Sequence, residues 1–473
     1  METLSPDLCV IGGGSGGLSV AAGAAQMGAR TVLLERHLMG GECLNSGCVP
    51  SKALLAAAHE VHMARKAMAL GVEVASFRVD MNRVWQRVQE TIAAIAPHDS
   101  QERFESLGVR VIRQEGRFTA PDEVAAGDVR IRARRFVVAT GSRPAVPPIA
   151  GLKEAPFFTN ENLFTNRLFL PHLLVLGGGP IGLEMAQAYR RLGSEVTVVE
   201  RARLLPRADA EAAEVVRQAL ENEGVRFLQG VEVNAVSGEP GAITLHLRQD
   251  GRERILQGSH LLVAVGRKPN LEALELAAAG IVHTPSGITV DGGMRTSNRR
   301  VYAIGDVCGG PLFTHAAGYQ AGIVIRHALF RLPARVDYTA LPQVTYTDPE
   351  LAQVGLSEEQ ARERGLVVRV LRKPFAENDR ARAEGTPAGF VKVVVEKRGR
   401  VLGATLVGDK AGELLQPWIL ALHKKLKIAD LATLIAPYPT LGEINKGVAG
   451  GFFTQTLYSS RTRKLVAFLS RFG

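Results

Sequence analysis

The 473-residue chain has only four cysteines, Cys9, Cys43, Cys48 and Cys308. That is too few for a disulfide scaffold, and a close pair among so few points to catalysis or metal binding. Cys9 and Cys308 read as buried core thiols. No apolar run reaches the roughly 18 residues a spanning helix needs. No secretory leader fits either, because the chain passes within a few residues into Asp7-Leu8-Cys9-Val10-Ile11 and a glycine turn; a cytoplasmic location is expected. A nucleic-acid module is also missing. The net charge is +10, yet the arginines are spread along the chain without aromatic interleaving. Basic charge gathers only at the C-terminus, where Arg461, Arg463, Lys464 and Arg471 accompany Leu465, Val466, Phe468, Leu469 and Phe472 on one helical face. That end is either a helix docked on its own domain or a contact with a membrane surface or partner.

What is present is a composition ordinary for a soluble protein, 46% hydrophobic and 22% charged, in a chain long enough for two to four domains. Two glycine-rich turns organise it. The first, Gly12-Gly13-Gly14-Ser15-Gly16-Gly17, follows strand-like Leu8 to Ile11, opens a helix over Leu18 to Met27 and closes with Thr31 to Leu34 and Glu35. The second, Gly177-Gly178-Gly179-Pro180-Ile181-Gly182, follows Leu173 to Leu176, opens a helix through Arg191 and closes with Glu195 to Val199 and Glu200. In both, the acid follows the last glycine by eighteen positions. A lone turn of this kind is weak evidence, but each sits in a complete βαβ unit. Two dinucleotide sites are therefore expected, with amides at the helix start facing a pyrophosphate and the acid facing a ribose. Beyond about Val336 strands and helices alternate without a third fingerprint, which predicts a separate α+β domain whose elements include a helix over Gly412 to Lys425.

The most informative stretch is Gly40-Gly41-Glu42-Cys43-Leu44-Asn45-Ser46-Gly47-Cys48-Val49-Pro50-Ser51-Lys52. Two cysteines five apart can form a disulfide only where the helix start is irregular, and Gly47 and Pro50 suit that. With the two turns, this stretch resembles the class I pyridine nucleotide-disulfide oxidoreductases, the family of dihydrolipoamide dehydrogenase, glutathione reductase and mercuric reductase. Ala139-Thr140-Gly141, Gly266-Arg267-Lys268-Pro269-Asn270, Ala303-Ile304-Gly305-Asp306-Val307 and Thr347 to Gly355 fall in the family's order.

The resemblance implies an α/β fold with two Rossmann-like domains, for FAD and NAD(P), and a C-terminal α+β dimerisation domain. Its expected boundaries are 1–150 and 273–335 for the FAD domain, 151–272 for the NAD(P) domain and 336–473 for the interface domain. It implies that FAD is held by Gly12, Gly14, Gly17, Glu35, Arg36, Gly41, Lys52, Gly116, Thr140, Gly141, Ser142, Asp306, Leu312, Thr314 and His315, the last three mainly through backbone amides. NAD(P) falls to Gly177, Gly179, Gly182, Glu200 and Gly266. Glu200 favours NADH by repelling a 2′-phosphate, although Arg201, Arg203 and Arg207 leave NADPH open. Cys48 is the implied charge-transfer thiolate and Cys43 the thiol that meets substrate. Lys52 pairs with Glu184, and Tyr438 and Glu443 enter from the second subunit of a homodimer.

One departure redirects the substrate. Dithiol-using members carry His-Pro-Thr before a glutamate, whereas this chain reads Tyr438-Pro439-Thr440-Leu441-Gly442-Glu443. A phenol with a free pKa near 10 is a poor base at neutral pH. Tyrosine here is a mercuric reductase feature, yet no cysteine follows Cys308 to collect a metal. Reduction of a metal ion or small electrophile is the leading expectation. A lipoamide-type dehydrogenase and a flavin subunit of a membrane-associated system are the alternatives. A cis bond is expected before Pro439.

Overall fold

The computed structural model describes residues 2–472. Five parallel strands form the first sheet, in the order Val301–Ala303, Arg135–Val138, Leu8–Ile11, Thr31–Leu34, Val109–Ile112. Both faces are covered, which is why the central strands Leu8–Ile11 and Thr31–Leu34 are buried along their whole length, while the edge strand Val109–Ile112 alternates. Val10 and Leu33 pack on one side against the helices Ser15–Gln26 and Thr314–Ala328. Cys9, Ile11 and Val32 pack on the other against Phe118, Val124 and Ile131 of a second, four-stranded sheet. Cys9 is wholly buried there, and Cys308 is partly buried.

The middle of the chain repeats the plan with four parallel strands, Arg226–Gln229, Glu195–Glu200, His172–Leu176 and His260–Val263. One face carries the helix Pro180–Arg191, the other an antiparallel meander over 232–258. Leu54 and Ala58 of the helix Cys48–Lys66 are buried in this second core, so the cysteine-bearing helix is clamped between the two units. The units are also stitched by a short antiparallel pair, Ser142–Pro144 with Arg267–Pro269.

Residues 342–408 supply a five-stranded antiparallel sheet, in the order Pro342–Thr345, Glu350–Gly355, Val401–Gly408, Phe390–Glu396, Val368–Pro374. Buried Trp418 anchors its helical side, donating Nε1–H to Asn445 Oδ1 at 2.8 Å. The single helix expected over Gly412 to Lys425 is instead two, Ala411–Leu414 and Gln416–His423. Pro417 is the reason: lacking an N–H, it suits the first turn of a helix and not the interior of one.

One expectation near the C-terminus holds and one does not. The peptide bond before Pro439 is cis, as expected, and so is the one before Pro349. The amphipathic helix forms over Ser460–Leu469, capped by Ser459, but it does not dock on its own domain. None of its residues is buried, and Leu465, Val466, Phe468, Leu469 and Phe472 are each more than half exposed. Among the described residues no helix is long and apolar enough to cross a membrane.

Candidate functional site

Both glycine turns close by the same contacts. Glu35 accepts from the N–H of Gly13 and of His37, each at 2.6 Å. Glu200 accepts from Gly178 N–H at 2.6 Å and Ala202 N–H at 2.8 Å. A Cβ on Gly17 would lie 1.9 Å from the Gly12 carbonyl oxygen, and one on Gly182 would lie 2.1 Å from that of Gly177. Gly12 and Gly177 have φ of +110° and +114°, a region glycine enters freely. The middle glycines differ: a Cβ on Gly179 would meet nothing within 4 Å, and one on Gly14 would approach only Gly41. Space is thus open at both helix starts, where unpaired amides favour an anion. These are cradles that a dinucleotide pyrophosphate fits.

Around the first turn, Ser142 Oγ donates to Asp306 Oδ2 at 2.5 Å, and Arg267 Nε donates to Ser142 Oγ at 2.8 Å. Thr140 and Asn270 exchange side-chain and backbone bonds at 2.9 Å, which aligns Gly141 with the strand after Gly266. Arg36 pairs with Glu115 at 2.5 Å. Gly116 is glycine for packing, since a Cβ there would lie 2.5 Å from Leu34 Cδ1. Leu312 precedes the helix Thr314–Ala328, whose N-terminus has no side-chain cap. The His315 ring is engaged elsewhere, with Nε2 3.0 Å from the Pro342 carbonyl oxygen.

Cys43 lies in the short helix Gly41–Asn45 and Cys48 opens the helix Cys48–Lys66, with Gly47 between them in a conformation that is not helical. The two sulfurs are shifted in opposite directions. Cys48 is lowered to about 6 by a hydrogen bond from Cys43, by Thr314 and by the Lys52 charge, against the cost of burial. Cys43 is pushed up by giving that bond and by burial. The environment therefore favours ionisation of Cys48 over Cys43, and the Cys48 Sγ lies 3.5 Å from Thr314 Oγ1. Lys52 Nζ donates to Glu184 Oε2 at 2.7 Å, with Glu184 almost wholly buried. A cavity of about 620 Å³ opens beside Cys48 and Lys52, lined further by Val49, Ala56, Arg87 and Ile95.

Tyr438 and Glu443 are not brought to these sulfurs. Among the described residues no hydrogen bond joins either to Cys43 or Cys48. Tyr438 is 70% exposed and donates Oη–H to Asp379 at 3.0 Å, and that carboxylate raises its pKa. Glu443 begins the helix Glu443–Gly450.

Sequence reasoning passed over Glu42, Asn160 and Tyr346. Glu42 forms a two-pronged ion pair with Arg267 and accepts from Asn160 Nδ2 at 2.7 Å, which ties the residue before Cys43 to the second unit. Tyr346 N–H donates to Glu184 Oε1 at 2.9 Å. The one signal was an acid placed next to a cysteine.

Two family models match the chain: pyridine nucleotide-disulphide oxidoreductase over residues 6–321, and the dimerisation domain of that group over residues 341–448. A mercuric reductase of Bacillus cereus is 34% identical over 440 residues, spanning 92% of this chain and 70% of the relative. A dihydrolipoyl dehydrogenase of Thermus scotoductus is 38% identical over 450 residues, spanning 92% and 95%. Among solved structures, the Cu(II) complex of the HOCl-induced flavoprotein disulfide reductase RclA from Escherichia coli is similar with a TM-score of 0.84. Its identity is 28%, over 94% of this chain and 99% of that one.

Proposed function

Since the chain belongs to the pyridine nucleotide-disulphide oxidoreductases, a FAD-dependent family fed by NAD(P)H, we propose that it reduces a metal ion or small electrophile at a Cys43/Cys48 dithiol. The first glycine turn is assigned to FAD and the second to the nicotinamide dinucleotide, with the domain boundaries given above. NADH is the proposed donor because the Glu200 carboxylate occupies the end of the second unit, where a 2′-phosphate would fall. Bound FAD supplies the passage of an electron pair from nicotinamide to sulfur. The chain's own residues do the rest. One hydride equivalent opens the disulfide to a thiol at Cys43 and a thiolate at Cys48, the split that the local environment favours. A divalent metal ion that takes the electron pair re-forms the disulfide and releases the proton.

The observation that carries this reading over the lipoamide one is Tyr438. Its phenol is raised further by Asp379, so at neutral pH it takes no proton from an incoming dithiol. Metal reduction asks for no such proton acceptor. The dihydrolipoyl dehydrogenase likeness keeps a second reading in play, in which Glu443, Tyr438 and water stand in for the missing histidine. In both, Tyr438 and Glu443 act across a homodimer, as the matched dimerisation domain supports.

The exposed C-terminal helix favours one proposal on partners. Its apolar arc sits among Arg461, Arg463, Lys464 and Arg471 with no acid over 458–473, which suits an anionic lipid surface on a protein otherwise cytoplasmic. Sedimentation with phosphatidylserine vesicles, lost on deleting 461–473, supports it; retention by the truncated protein sinks it.

The deciding experiment is anaerobic. Reduction by NADH is expected to raise a long-wavelength thiolate-to-flavin band, which fades as pH falls through about 6 because Cys48 is then protonated. Hg(II) with excess thiol should discharge the band, and lipoamide and glutathione disulfide should leave it standing. Discharge by lipoamide at an equal rate overturns the metal reading, and absence of the band removes the dithiol mechanism.

A further inference from the structure

Tyr346 belongs to none of the roles assigned so far, yet it touches the group that charges the sulfur site. Its ring centroid lies 4.3 Å from Lys52 Nζ. Its N–H donates to Glu184 Oε1 at 2.9 Å, while the other oxygen of the same carboxylate takes Lys52 Nζ at 2.7 Å. Three parts of the fold meet at this ammonium: the Cys48 helix, the Pro180 helix and the end of the strand Pro342–Thr345. We propose that Tyr346 is a positioning residue whose ring and backbone amide hold the Lys52 ammonium near Cys48, so that seating of the dimerisation unit sets how readily Cys48 ionises. This inference rests on the dithiol reading above.

Lysine is a compact charge on a flexible four-carbon stem, and the Lys52 side chain is 37% exposed. A single carboxylate contact leaves that stem free to swing toward water. The negative face of an aromatic ring attracts the cation and excludes water from one side of it, which leaves its field on a neighbour less screened. That neighbour is one helical turn away, at position i−4, on the same helix face. Cys43, Thr314 and Lys52 act on Cys48, and the Tyr346 hydroxyl is close enough to feel its charge. Lys52 lies over the Tyr346 ring, and Glu350, Glu184, Cys48 and Glu413 act on its hydroxyl through their charge. Lys52 is the one cation in either set, so loosening it moves Cys48 in one direction, toward the thiol.

The test uses flavin-loaded protein in a Cys43→Ser background, where a single sulfur ionises. The pH midpoint is read twice, from the thiolate-to-flavin absorbance and from the rate of Cys48 alkylation by iodoacetamide. Tyr346→Phe keeps the ring and should leave the midpoint unmoved. Phenylalanines of increasing fluorination at position 346 drain the ring face at nearly constant shape and should raise the midpoint stepwise. Tyr346→Leu should raise it by about half a unit to one unit, a roughly threefold to tenfold fall in the ionisation constant. If the leucine variant does not fold, the fluorinated series decides alone. A midpoint equal across that series overturns the proposal and leaves the ring as filler at a domain junction. Failure of the Cys43→Ser parent to show a thiolate at any pH would instead remove the dithiol reading.

Discussion

Gly14 and Gly179 occupy the same place in two turns that close by matching carboxylate bonds, yet their surroundings differ. Behind Gly14 stands the approach to the cysteines: Gly40 N–H donates to the Gly13 carbonyl at 3.0 Å, and a Cβ on Gly41 would lie 2.6 Å from Gly14 Cα. Gly179 has no such wall, and a side chain added there would enter open space. One sequence device thus serves two kinds of tenancy. Under the proposed assignment, a ligand on the first turn would be boxed in by the segment that carries Cys43 and Cys48, whereas one on the second would be free to come and go with each turnover. That is the division of labour a bound flavin and a diffusing nicotinamide require.

The comparison can be broken most forcefully at the last glycines. Gly17→Ala and Gly182→Ala each drive a methyl into a carbonyl oxygen, an overpacking cost of at least about 2 kcal/mol. The first variant is expected to purify colourless with a melting temperature lowered by several degrees. The second is expected to stay yellow while flavin reduction by NADH slows at least a hundredfold; loss of flavin in both would show that the units do not fold independently. The walls come next. Gly41→Ala, at φ +60°, should speed flavin loss on dialysis about tenfold, followed by fluorescence of the released dye. Gly179→Ala should leave the flavin in place and raise KM for NADH about tenfold, roughly 1.4 kcal/mol of binding. Equal flavin loss in the two variants would erase the distinction. The acids should show the smallest effect. Glu200→Ala is expected to shift the NADPH/NADH ratio of kcat/KM severalfold toward NADPH, and Glu35→Ala to leave it unchanged.

The parts legible in the sequence were those whose partners lie close along it. Gly17 and Glu35, or Gly182 and Glu200, stand within one βαβ unit, so spacing alone exposed two sheets and two cradles. Lys52 and Glu184 were reached only through the family resemblance. Glu42 with Arg267, and Tyr346 with Lys52, are joined across units by contacts that no periodicity encodes, since each depends on how separately folded pieces come to rest. Pro417 is a local helix-start signal that the reading of one helix over Gly412 to Lys425 did not use. The Ser460–Leu469 helix was legible as a helix but not as an undocked one, because amphipathic spacing says that a face wants cover without saying whose.

The stitch between Ser142–Pro144 and Arg267–Pro269 bears on how such a chain could be assembled. Its register sets Pro144 opposite Arg267, so the chain leaves the first unit and returns to it at a single point. The intervening segment is a guest with entrance and exit side by side, the condition under which insertions are tolerated and removed. Replacing residues 145–266 by a two-residue turn would convert the stitch into an ordinary hairpin. The remaining host keeps every strand of its own sheets, and would be a flavin carrier cut off from its electron supply.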